Sequence, residues 1–150
     1  MPVVVVDYDP RWPEAFERLR SHVWPAVRDV ALTIEHVGST SVPGLAAKPA
    51  IDVSVVVPDA SAIPAAIAGL EAIGYVHLGE MGIEGREAFE PPAAAASAGL
   101  PVHHLYVCPR DGLGLANHLA VRDYLRAHPD TARRYGELKK ELARRFPDDA

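Results

Sequence analysis

Hydrophobic positions recur along this chain with two periods, and the switches between them mark the elements. Trp12, Ala15, Phe16, Leu19 and Val23 return at helical spacing, so "RWPEAFERLRSHVWPAV" predicts a helix that Pro25 ends or kinks. Val3 to Val6 is a short β-branched run closed by "DYDP", and it reads as a strand. "ALTIEHV" predicts a second strand and "AIDVSVVV" a third, the latter apolar enough to be covered on both sides. "SAIPAAIAGLEAIG" predicts a helix stopped by Gly74. "YVHLG", "REAFE" and "VHHLYVC" predict three further strands, with "PPAAAASAGLP" as a mobile loop before the last of them. Two helices close the chain. "GLGLANHLAVRDYLRAH" must stop near Pro129, and "PDTARRYGELKKELARRF" places Tyr135, Leu138, Leu142 and Phe146 on one stripe expected to face the core. The sum is one domain, residues 1–150, of the α/β (α+β) class: a mixed sheet flanked by helices.

Composition narrows the functions open to such a domain. The formal net charge of -5 gives no basic footprint for a long nucleic acid. The one basic-rich segment, "RRYGELKKELARR", interleaves Glu137 and Glu141, which reads as a solvated helix face. A single cysteine, Cys108, excludes an internal disulfide and a multi-cysteine zinc site, and it reads as a small buried hydrophobe ending a strand. The N-terminal apolar run is too short to span a membrane and lacks a basic flank, so the expected location is the cytoplasm.

The chemistry concentrates in "EHVGSTSVPGLAAKPAIDVSVVV". Gly38 allows a tight turn after a strand, and successive N–H groups there, with the hydroxyls of Ser39, Thr40 and Ser41, make a cradle for phosphate. A plain capped turn would use the same residues. Asp52 sharpens the reading, because a carboxylate heading an apolar strand is costly unless it has a task. Beside a phosphate cradle that task is to hold Mg2+ or Mn2+, with Lys48 as a point charge for phosphate. Period two puts Asp52 with Ser54 and Val56, opposite Val53, Val55 and Val57, and puts His104 with Tyr106, opposite His103 and Leu105. His36, Asp52 and His104 would bind one transition metal if they converged. His118 and Arg122 stack at i, i+4 on a helix, and Arg122 and Arg86 are candidates to reach phosphate in the same cleft, with strand-edge or intrahelical pairing as the plainer alternative. Trp12 and Phe16 read as a helix packed on the sheet.

At "HVGSTSVPGLAAKPAIDVSV" the chain resembles the GrpB family, a branch of the DNA polymerase β-like nucleotidyltransferase superfamily. "YDPRWPEAFERL", "HHLYVCP" and "HLAVRDYLRAHPDTARRYGELKKELA" extend the likeness over nearly the whole sequence. The resemblance implies the nucleotidyltransferase fold, a triphosphate held on the Gly38-Ser39 turn, and nucleotidyl transfer from a nucleoside triphosphate to an unknown acceptor, with His104 as its base. Active superfamily members carry an acid-x-acid pair and a third acid on a later strand. Here Asp52 is the first acid, Ser54 stands at the second, and "HHLY" offers none at the third, where the family usually reads His-His-x-His. Glu35 and Glu90 are the acids left to supply a missing oxygen, although Glu35 alternates away from His36. Two other readings follow: a nucleotide- or phosphate-binding module without turnover, linked to coenzyme A metabolism, and a single-metal hydrolase built on the histidines.

Overall fold

The computed structural model describes residues 4–146. The chain opens with helix α1 (Trp12–Val27), then β1 (Thr33–Val37), β2 (Ile51–Val57), α2 (Ile63–Ala72), β3 (Val76–Gly79), β4 (Glu87–Glu90), β5 (His103–Pro109), α3 (Leu113–Ala127) and α4 (Pro129–Arg145). The strands form a sheet in the order β1-β2-β5-β4-β3. Only β2 and β5 run parallel; the other neighbours are antiparallel, so the sheet is mixed. The parallel pair lies at the centre, which explains the valine-rich β2: both its faces are covered.

The two faces of the sheet have different tasks. Val53, Val55, Val57, Ile51, Leu105 and Val107 point to one side, against Trp12, Phe16, Leu19, Val23 and Val27 of α1 and Ala66 and Leu70 of α2. This is the main core. The registers Val37↔Asp52, Glu35↔Ser54, Asp52↔His104 and Ser54↔Tyr106 put these residues on the opposite face, beneath α3 and α4. There the apolar packing is thin: Val56, Cys108 and Leu115 form one small cluster, and Val42, Leu45, Leu125 and Ala132 another. The polar face of the central strands is the one left for a site.

Some elements differ from expectation. Val3 lies outside the described residues, and of the run after it only Val6 pairs, in a single bridge to Ala47. Pro25 neither ends nor interrupts α1, which continues to Val27; so near the C-terminus few helical bonds depend on it. "PPAAAASAGLP" is not a loose loop: Ala93–Ala95 form a 3-10 turn, Ala95 is buried, and Leu100 packs on the main core. The stripe Tyr135, Leu138, Leu142, Phe146 faces outward, and each of these side chains is more than two-fifths exposed. The side of α4 that docks is the smaller one, with Ala132 and Gly136 buried and Gly136 set close against Ala46. Close helix approach selected small residues, and that left the bulky apolar ones outside.

Candidate functional site

The site grows from the turn after β1. Gly38 has φ +74, a left-handed conformation that side chains disfavour, and it starts a 3-10 turn over Ser39–Ser41. A Cβ on Gly38 would lie 2.1 Å from Asp52 Oδ2 and 2.9 Å from its Cγ. Glycine is therefore required twice, for the turn and to let the carboxylate rest against the backbone. The turn is well tied. Ser41 Oγ donates to the Gly38 carbonyl at 2.5 Å, and Arg126 Nε donates to the Ser41 carbonyl at 2.9 Å. The N–H groups of Ser39 and Thr40, ahead of the first bond of the turn, have no acceptor within it.

A cleft of about 430 Å³ opens beside this turn, within the size range of small-molecule sites. Ser39, Thr40, Lys48, Asp52, His104 and Lys139 line its polar part; Val5, Ala47, Ala50, Leu142, Ala143 and Phe146 line the rest. Lys139 comes from α4, and its Nζ donates to Ser39 Oγ. Burial lowers its pKa, Lys48 lowers it further, and Asp52 works the other way. Burial also pushes the Asp52 carboxyl up to about 6, against the opposing fields of His104, Arg86 and Lys139. The cleft thus pairs one reluctant carboxylate with two ammonium groups, an arrangement that favours an anionic ligand able to bring its own cation.

The structure brings together Gly38, Ser39, Thr40, Lys48, Asp52 and His104. It separates others from them. His36 points to the opposite face of the sheet, in register with Val53; its Nε2 hydrogen-bonds with Thr40 Oγ1 at 2.9 Å, and its ring stacks on Phe16. Burial, then the fields of Arg126 and Arg122, push it down to about 4, so it is neutral. His36 therefore cannot share an ion with Asp52 and His104, and among the described residues no group of three His, Cys, Asp or Glu is placed to hold a metal. That removes the basis for the histidine-metal hydrolase. Ser41 is buried and spent on its own turn.

Neither arginine lines the cleft. Arg122 donates to Glu35 Oε2 at 3.0 Å, to the His36 carbonyl at 3.2 Å and to Asp123 Oδ1 at 2.9 Å, and it borders a smaller cavity on the far side of the turn. Glu35 does share the face of Asp52, because His36 does not, but Arg122 occupies it. Arg86 lies over the Tyr106 ring, 4.4 Å from its centroid. His103 faces the main core, accepting from Tyr75 at 2.7 Å and donating to the Pro101 carbonyl at 2.7 Å. Two residues were missed by sequence reasoning. Lys139 sits in a segment that sequence spacing reads as a solvated face, and Arg126 on a helix where only His118 and Arg122 stood out; docking against the turn reveals both.

A pair of cations about 4 Å apart, as in two-metal phosphoryl transfer, does not fit these residues. Asp52 is the sole carboxylate lining the cleft among the described residues. Ser54, at the second-acid position, is completely buried, and its Oγ has no hydrogen-bond partner among the described residues. A single Mg2+ does fit, because Mg2+ is commonly held by one carboxylate together with substrate phosphates and water.

The fold is that of nucleotidyltransferases. It matches the Cid1 poly(U) polymerase, solved with MgGTP bound, with a TM-score of 0.54 at 14% identity, over 81% of this chain and 39% of that one. The family is narrower: residues 2–150 match the model of the GrpB protein family, and the chain belongs to it. The conserved protein GrpB from Enterococcus faecalis superposes with a TM-score of 0.83 at 37% identity, covering 97% of this chain and 86% of that one. UPF0157 protein YqkA of Bacillus subtilis is 35% identical over 97% of this chain, and a Pseudomonas aeruginosa UPF0157 protein is 40% identical over 98%. The chain spans only 41% and 60% of the lengths of those two relatives. A dephospho-CoA kinase of Mycolicibacterium paratuberculosis is 30% identical over 99% of this chain, which covers 41% of that protein. No described helix is long and apolar enough to cross a membrane.

Proposed function

We propose that the cleft binds a nucleoside triphosphate together with one divalent cation, Mg2+ or Mn2+, and transfers its nucleotidyl group to an acceptor. The observation that carries this is the seat of Asp52 against Gly38, in one cleft with Ser39, Lys48 and Lys139. The phosphates lie along the Ser39–Thr40 backbone, and the two lysines offset their charge. Asp52 holds the cation that the phosphates bring; when bound, it neutralises charge on the phosphoryl oxygens. His104, in register with Asp52 and exposed to the cleft, takes the proton from the acceptor's nucleophile.

A second reading has the same ligand without turnover: a binding module. The lone carboxylate favours it, and the match within a dephospho-CoA kinase suggests work beside coenzyme metabolism. Thermal melts with each nucleoside triphosphate, with and without metal, test the shared part. Ligand at a hundredfold excess over its dissociation constant adds about 2.7 kcal/mol, a shift of several degrees in a domain of this size. The shift should require metal, vanish in Asp52→Asn, and shrink in Ser39→Ala and Lys139→Met. No shift with any nucleotide at millimolar concentration refutes both readings. Release of labelled pyrophosphate that His104→Gln abolishes, with binding intact, selects transfer over silent binding.

A further inference from the structure

The apolar part of the cleft has not been assigned a task. Leu142 and Phe146 belong to the outward stripe of α4, at 46% and 53% exposure, and both line the cleft together with Ala143. Val5, Ala47 and Ala50 complete that lining. Large exposed apolar side chains grouped at a cavity mark a contact surface rather than a packing error. The polar residues of the lining, Ser39, Thr40, Lys48, Asp52, His104 and Lys139, include part of the turn and, among the described residues, every charge in the cleft. Among the described residues the lining is therefore of two kinds: charged and hydroxyl groups, and apolar side chains that carry no hydrogen-bonding atom.

A ligand that satisfies both kinds of lining carries phosphate and a flat apolar group. Selecting among bases needs donors and acceptors matched to their edges, because an unmatched polar edge facing a matched site is what costs affinity. An aromatic ring offers only stacking, which every base accepts. We infer that this site takes nucleoside triphosphates without regard to the base, with Phe146 and Leu142 as the surface on which the base packs. This rests on the nucleotide reading above and specifies the substrate class of that site: any nucleoside triphosphate, purine or pyrimidine.

Calorimetric titration of the full chain with ATP, GTP, CTP, UTP and inorganic tripolyphosphate, each with Mg2+, tests it. The four nucleotides should bind within about threefold of one another. Phe146→Ala should weaken all four about tenfold, toward the lower end of what stacking on an aromatic ring contributes, and leave tripolyphosphate unchanged. Phe146→Trp should restore the nucleotides. Because Phe146 is half exposed, its replacement leaves the fold intact, and Leu142→Ala gives an independent reading of the same surface. A tenfold preference for one base overturns the inference, as does a Phe146→Ala variant that binds like the parent. Binding of tripolyphosphate but of no nucleotide also overturns it, while leaving the phosphate cradle standing. If neither binds, the nucleotide reading itself fails and takes this inference with it.

Discussion

Replacing Gly38 with alanine tests whether the Asp52 carboxylate truly rests on the turn. Two costs add. The first is conformational: φ +74 with ψ -176 is a region open essentially to glycine alone, and an alanine there costs about 2 kcal/mol. The second is steric. The new Cβ would lie 2.1 Å from Oδ2, so the carboxylate must leave or the turn must open, for about 2 kcal/mol more. Gly44 provides the control: its φ is +82, and no atom lies within 4 Å of a Cβ placed there. Gly44→Ala should therefore show the conformational cost alone. In an Asp52→Ala background the nearest remaining contact of the Gly38 methyl is the Cβ at position 52, at 3.1 Å, and the cost of Gly38→Ala should drop to about 2 kcal/mol. Urea unfolding of the four proteins of the cycle reads the coupling directly, at about 2 kcal/mol. Additivity within about 0.5 kcal/mol would refute the contact, as would equal costs at Gly38 and Gly44.

Two further outcomes follow from charge and burial. The folded chain holds the Asp52 carboxyl at about 6, above its ordinary 3.8, so it binds a proton between those values that the unfolded chain has released. Ionising Asp52 thus costs stability: in ligand-free protein the parent should lose stability relative to Asp52→Asn as pH rises from about 4 to 7, and parallel pH profiles would refute this. Tyr75→Phe should destabilise the fold by about 1–3 kcal/mol in chemical denaturation, because it leaves the inner nitrogen of His103 buried without a partner. Nucleotide affinity should stay unchanged, since Tyr75 and His103 lie on the other face of the sheet from the cleft; a loss of affinity would contradict that placement.

What the chain discloses in advance, and what it withholds, divides along a physical line. Alternation along β2 and β5 was legible, so the sharing of one face by Asp52 and Ser54, and by His104 and Tyr106, could be read before any coordinates. The closing helices were legible from periodicity, and the mixed sheet from connections too short for a wholly parallel one. The face on which β1 meets β2 was not, because it depends on pairing register: Val37, not His36, stands opposite Asp52. That one register decides that His36 supports the turn from behind instead of lining the cleft. Arg122 could not be read either, since the carboxylate that occupies it, Glu35, lies 87 residues away. On α4 the apolar period was real, but the small residues on its other side determined how it docks. Lys139 was hidden by the same inversion.

The Ser39–Lys139 contact joins residues 100 positions apart, the turn early in the sequence and the lysine late in it. During synthesis at about 5–20 residues per second, roughly 5–20 s separate the two. Through that interval a nascent chain carries the turn and Asp52 but neither Lys139 nor the apolar wall of α4. The charged cleft is thus assembled late: its two sides meet only after α4 has left the ribosome and folded back onto the turn after β1.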